Sequence, residues 1–211
     1  MNKKIGVLLP FKDNFTHSKA GSASIWIKDF NRKSLYKKNI YVCGNTDNLK
    51  DLIEKKNYLN IKFSNSTFQS KNKLYINEFI KLNSKHKFKL IEVHNRPSYV
   101  HRLIEKGINS KIVLIFHNNP LNLGGSKTVE ERNILIEKCE KLIFVSNWVK
   151  GKFFEGLNGK SNINCIVIYP SIETLKKLPT KKNIISFVGK LNRSKGFHLF
   201  GNVIVKILNK Y

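Results

Sequence analysis

The sequence predicts an α/β protein in which helices wind on both faces of a mainly parallel sheet. Three observations carry this reading. Short apolar runs such as Ile5–Leu9 and Lys111–Phe116 read as strands buried on both faces. Segments with apolar residues at helical spacing stand between such runs. The two kinds alternate along the chain, as strand–helix–strand units require.

Ile5–Leu9 is the first strand, and a polar loop from Phe11 to Ser24 follows it, carrying Gly21. Ile27 and Phe30, beside Trp26, mark one face of a helix. Ile40–Cys43 is a second strand closed by Gly44-Asn45. Asn48–Lys56 reads as a short helix, Leu59–Phe63 as a weak strand and Leu74–Leu82 as a helix. Phe88–Val93 is a strand, and Val100, Leu103 and Ile104 define a helix stopped by Gly107. Lys111–Phe116 is the most apolar strand, followed by the loop Leu121–Ser126. Thr128-Val129-Glu130-Glu131 is a capping-box signature opening a helix that runs to about Cys139. Leu142–Val145 is a strand, and Ser146 opens a further helix. Ile163–Tyr169 is a strand stopped by Pro170, and Leu178 to Asn183 reads as a linker. A fresh strand, Ile184–Val188, and a helix, Phe197–Leu208, look like the opening of a second sheet.

Composition narrows the classes. A chain of 211 residues, 41% hydrophobic and 25% charged, can bury a core, which excludes wholesale disorder and collagen-like or disulfide-scaffold proteins. The 39 basic against 14 acidic residues give a formal charge of +25. The arginines are Arg32, Arg96, Arg102, Arg132 and Arg193, so nearly all the excess is lysine, spread along the chain. A solvated lysine surface is one reading; attraction to nucleic acid, nucleotide diphosphates or an anionic membrane is the other. Cys43, Cys139 and Cys165 form no Cys-x-x-Cys pair, which argues against a zinc site and for a reducing cytosol. The first apolar stretch is cut short by Pro10, Lys12 and Asp13, with no cleavage site of a signal peptide. No apolar run approaches the ~18 residues a membrane span needs.

In sheets of this class ligands bind at the carboxyl ends of the strands. No Gly-x-Gly-x-x-Gly follows the first strand, which disfavours a dinucleotide-binding domain. Gly124-Gly125-Ser126-Lys127-Thr128 echoes the end of a phosphate loop out of register and reads as a loop before a capped helix. Gly189 to Gly196 joins a strand to a helix. Its Lys190 and Lys195 beside a helix N-terminus suit a diphosphate, and an ordinary lysine-rich turn has the same composition. His117 ends the most apolar strand, where a polar side chain is costly unless satisfied, so it is either a hydrogen-bonded structural residue or part of a cleft. His94-Asn95-Arg96-Pro97 ends the preceding strand in the same way, and two such ends side by side favour a polar cleft. His17, His86, His101 and His198 read as surface residues, and Asp13, Asp29, Asp47 and Asp51 form no evident metal or acid/base pair.

Glu92-Val93-His94-Asn95-Arg96-Pro97, Phe116-His117-Asn118-Asn119-Pro120, Phe144-Val145-Ser146-Asn147-Trp148-Val149 and Phe187-Val188-Gly189-Lys190-Leu191 with Lys195-Gly196 occur in order. In that order and spacing the chain resembles glycosyltransferase family 4, over essentially its whole length. The resemblance implies a GT-B architecture, two Rossmann-like domains facing across a cleft, of which this chain is the N-terminal half. It implies retaining transfer from a nucleotide-sugar donor, with no metal and no other cofactor. His117 matches the histidine near the reacting carbon of the donor sugar, and so is the catalytic candidate. Gly21, Lys190 and Lys195 match donor-phosphate positions; Lys190 stands where the family has arginine, which loses the bidentate fork. His94, Asn95, Arg96 and Asn118 fall on the acceptor or cleft side. Tyr169-Pro170-Ser171-Ile172 departs from the family pattern.

Residues 1–178 are thus expected to form the acceptor-side domain, and 179–211 a linker and the start of a donor-binding domain. The family's paired glutamates are absent, so the expectation is a fragment, or a chain completed by another, that is inactive alone. The expected partners are a nucleotide-sugar donor and a saccharide or lipid-linked saccharide acceptor of cell-surface polysaccharide or lipopolysaccharide. Contact with an anionic membrane face at the cytoplasmic side is also expected, and specific nucleic-acid binding is not. The alternative is a non-catalytic basic Rossmann-like module that holds nucleic acid or an anionic membrane surface.

Overall fold

The computed structural model of the chain describes residues 3–64, 69–157, 164–171, 180, 184–189 and 191–210. The chain divides into two units, Met1–Ile172 and Glu173–Tyr211. Leu178 and Pro179, where sequence reading sets the boundary, lie outside the described residues.

In the first unit the apolar runs become β1 (Ile5–Leu8), β2 (Ile40–Gly44), β3 (Tyr58–Asn60), β4 (Leu90–His94), β5 (Lys111–Phe116), β6 (Lys141–Phe144) and β7 (Cys165–Val167). They form one seven-stranded sheet in the order β3-β2-β1-β4-β5-β6-β7. Every neighbouring pair is parallel. Period two sorts the side chains. Val7, Val42, Val113 and Ile115 pack on one face against Ala23, Trp26 and Ile27 of α1 (Ser22–Lys33). Leu8, Cys43, Ile91, Val93, Leu114, Phe116, Leu142 and Phe144 pack on the other. That face is covered by α2 (Lys71–His86), α3 (Pro97–Glu105), α4 (Val129–Lys138) and α5 (Asn147–Phe154). Helices on both faces of a parallel sheet are the doubly wound arrangement. Part of its packing is aromatic: the Phe116 and Phe144 rings stack at 5.4 Å, and Phe153 meets them at 5.3 and 5.2 Å.

The local signals act as their chemistry dictates. The Thr128 side chain accepts from Glu131 N while the Glu131 carboxylate accepts from Thr128 N, the reciprocal cap of α4. Ser146 caps α5 by accepting from Val149 N. Gly125 adopts φ +92°, and a Cβ there would lie 2.5 Å from the Ser98 nitrogen, so the Gly124-Gly125 loop is pressed against the start of α3. All three cysteines are buried free thiols; burial pushes Cys43 far up and Cys139 up to about 12.

Three elements differ from expectation. Asn48–Lys56 holds only a 3₁₀ turn, Leu49–Asp51, because Leu52 bridges Thr16 and Ile53 N donates to Phe15 O at 3.1 Å. The β3 strand starts before Leu59 because Val42, Cys43 and Gly44 pair with Tyr58, Leu59 and Asn60. Ile184–Val188 forms no strand; among the described residues of the second unit there is no strand to pair with it. That unit does form a 3₁₀ turn, Arg193–Lys195, and α6 (Phe197–Leu208). Most of its large apolar residues are exposed, from Phe197 at 43% to Val188 at 93%, while Phe187, Phe200, Ile204 and Ile207 are half-buried.

Candidate functional site

The strand order reverses between β1 and β4, and in such sheets the crevice for a ligand opens at the carboxyl ends there. His94 is the last residue of β4 and has no exposed surface. A buried imidazole must satisfy both nitrogens. His94 Nε2 lies 2.6 Å from Glu92 Oε1, and Nδ1 lies 2.9 Å from Nε2 of His117, the residue after β5. The two ring planes lie within 25° of each other, with centroids 5.2 Å apart, so the imidazoles meet end to end through that hydrogen bond. Trp26 of α1 meets both edge-on, at 5.4 Å from His94 and 5.6 Å from His117. Its indole N–H is buried without a partner. Burial, and secondarily the His94 ring, lower the His117 pKa to about 3, so His117 is a neutral imidazole near pH 7.

Asn95 joins the two strand ends. It adopts φ +54°, a left-handed conformation that asparagine tolerates better than most residues. Its Oδ1 accepts from the backbone N–H of His117 and of Asn118, both at 3.3 Å. Arg96 donates Nη1 to Asn95 O at 2.9 Å, and Pro97 opens α3 with no N–H to satisfy. Asn118 is exposed at the tip of the β5 end. Gly21 precedes α1. Its N–H donates to Asp13 Oδ1 at 3.0 Å, Ser24 Oγ donates to the same oxygen at 2.7 Å, and a Cβ on Gly21 would come 2.5 Å from it. The Asp13 carboxylate therefore caps α1 across the loop, at the positive end of the helix.

The structure thus brings His94, Asn95, Arg96, His117 and Asn118 together at adjacent strand ends. Gly21 opens the helix whose Trp26 touches both histidines. Lys195 belongs to the second unit. There Asn192 Oδ1 accepts from Lys195 N at 3.1 Å, Gly196 turns the chain at φ +76°, and α6 begins with no side-chain cap. Lys190 lies outside the described residues. Glu92, Trp26 and Asp13 figure in the sequence reading, but none of them with a role in the site. Glu92 was detectable: in a strand, Glu-x-His places both side chains on one face, and a carboxylate there stands between apolar neighbours.

No family model matches the chain. Among curated proteins it is similar to YtcC of Bacillus subtilis (strain 168), which carries a provisional glycosyltransferase name, with 27% identity over 142 residues. That match covers 59% of this chain and 35% of YtcC. Among solved structures it is similar to Anabaena Alr3699/HepE in complex with UDP-glucose, with a TM-score of 0.55 and 17% identity. This likeness covers 81% of the chain and 44% of HepE. It is also similar to sucrose-phosphate synthase of Thermosynechococcus elongatus, with a TM-score of 0.51 and 13% identity, over 79% of this chain and 48% of that one. The chain therefore spans between a third and a half of these proteins. The structural likenesses establish the Rossmann-like fold that the strand pattern predicts.

Proposed function

We propose that this chain is the acceptor-side part of a retaining glycosyltransferase resembling family 4, an enzyme that transfers sugar from a nucleotide-sugar donor to a cell-surface saccharide acceptor. The observation that carries the reading is the neutral, fully supported His117 at the carboxyl end of β5. A neutral imidazole there can hydrogen-bond a sugar hydroxyl while positive charge develops at the anomeric carbon, without adding charge of its own. The sequence likeness to YtcC and the fold shared with HepE, whose structure holds UDP-glucose, support the same reading. Lys195, just before α6, would stabilise a leaving diphosphate together with Lys190, and Gly21 would border the donor phosphates. No metal is expected in this reading.

In this reading transfer also needs a donor-binding domain. The test is nucleotide release from UDP-glucose and other nucleotide sugars, by residues 1–211 and by the same residues joined to such a domain. Release by the joined protein alone is expected; robust transfer by residues 1–211 contradicts the two-domain reading.

A second reading has its own observation. The turn after α1 exposes Leu35 at 96% and Tyr36 at 65% between Arg32, Lys33, Lys37 and Lys38. Beside it a cavity of about 420 Å³ is lined by Lys28, Arg32, Lys37, Lys38 and Lys56 over Phe15, Ile40 and Val42. Exposed apolar side chains among cations suit peripheral contact with an anionic membrane face, at the cytoplasmic side in this reading. No helix among the described residues is long and apolar enough to cross a membrane. Co-sedimentation with vesicles of anionic lipid is expected to weaken steeply with salt and on Leu35→Ser/Tyr36→Ser. Salt-insensitive, sequence-specific DNA binding would instead favour the non-catalytic nucleic-acid module.

A further inference from the structure

We propose that Glu92 and His94 are positioning residues that fix the tautomer of His117, with its proton on Nε2 and its lone pair on Nδ1. The proposal rests on the site geometry, and its consequence for a sugar ligand rests on the transferase reading above.

Glu92 is out of place on its strand face. The register sets it between Val7 of β1 and Val113 of β5, on the face where Val42 and Ile115 also pack. A carboxylate among apolar neighbours is retained at a cost unless it has a partner. Its partner is His94 Nε2 at 2.6 Å, and that side chain has no exposed surface. A carboxylate only accepts hydrogen bonds, so the hydrogen in this contact belongs to His94 Nε2. With that one proton on its ring, His94 offers a lone pair on Nδ1. The 2.9 Å contact to His117 needs one hydrogen, and His117 Nε2 supplies it. A neutral His117 is left with the lone pair on Nδ1.

Each link also fixes a direction in space. The end-to-end hydrogen bond between the nearly coplanar rings and the edge-on Trp26 hold both imidazoles in orientation. Asn95 Oδ1 holds the His117 backbone through its N–H. The group that His117 receives is therefore a hydrogen-bond donor: a hydroxyl, as a sugar presents, and not a carbonyl or a phosphate oxygen. This separates the work of the site. His117 reads hydroxyls, and the diphosphate must be held by cations elsewhere.

The test reads the ring nitrogens directly, by long-range ¹H–¹⁵N correlation spectra of residues 1–211 near pH 7. The expected pattern has Nε2 protonated and Nδ1 unprotonated on both His94 and His117. In Glu92→Leu, which suits the apolar strand face, nothing holds the His94 proton on Nε2. Both pairs of nitrogen signals are then expected to move toward a mixed-tautomer average. In Glu92→Gln the amide oxygen still accepts, and the wild-type pattern is expected to persist. A protonated His117 Nδ1 in the wild-type chain overturns the proposal, as does an unchanged pattern in a folded Glu92→Leu. The wild-type spectrum decides even where the leucine variant fails to fold. No sugar donor takes part, so this outcome is independent of the outcome for transfer.

Discussion

The ends of β4 and β5 hold two histidines inside a hydrogen-bonded cluster edged by Trp26, whereas the segment 184–208 leaves Ile184, Ile185, Val188 and Leu191 between 61% and 93% exposed. Both regions carry the same kinds of local signal. The difference teaches what each signal needs in order to act. A helix closes its hydrogen bonds within itself, so Phe197–Leu208 is helical although none of its residues is buried. A strand closes them only with a neighbour, so the apolar run at 184–188 stays without a ladder while Lys111–Phe116 pairs on both sides. A histidine at a strand end becomes part of a site only where a second strand end brings it a partner.

The largest expected contrast lies in packing. Phe144→Ala removes a fully buried ring from the Phe116–Phe144–Phe153 cluster and is expected to cost about 3–5 kcal/mol. Val205→Ala, in α6 and 57% exposed, is expected to stay within about 0.5 kcal/mol. Urea denaturation of both variants checks this; equal losses would mean that α6 is packed as the first unit is.

The next contrast is in pH dependence. The His117 pKa falls from 6.5 to about 3 on folding, so the unfolded chain takes up a proton that the folded chain refuses. Stability from the neutral imidazole is complete above about pH 6.5 and is lost as pH falls toward 3. The urea midpoint is expected to drop across that window, and less so in His117→Gln. An equal drop in both would show that other groups carry the acid sensitivity.

A smaller effect probes the second unit through propensity alone. A Cβ on Gly201 of α6 meets nothing within 4 Å. Gly201→Ala is expected to favour α6 by up to about 1 kcal/mol, read as a gain in helical circular dichroism. No gain, or a loss, would mean that Gly201 is held against a neighbour.

The sheet was legible because its strands are buried on both faces and read as continuous apolar runs, as Ile5–Leu8 and Lys111–Phe116 do. The Thr128 and Ser146 caps were legible because their partners lie three residues away. The 3₁₀ turn at Leu49–Asp51 was not, since the contacts of Leu52 and Ile53 with Thr16 and Phe15 are invisible to helical periodicity. In the candidate site, the two strand ends could be named from position, and their adjacency follows from β4 pairing with β5. The link from His94 to His117 could not be read, because it depends on ring orientation across 23 residues. Asp13 was missed for a similar reason: its bond to Gly21 spans a loop without a regular period.

The central claim is that the supported imidazole at the end of β5 takes part in sugar transfer. It is tested most directly by nucleotide release from the protein joined to a donor-binding domain, with His117 intact or replaced by alanine. His117→Ala is expected to lower turnover at least tenfold, the loss of about 1.4 kcal/mol of transition-state stabilisation. Wild-type turnover in a folded His117→Ala protein would remove His117 from the site and contradict the account.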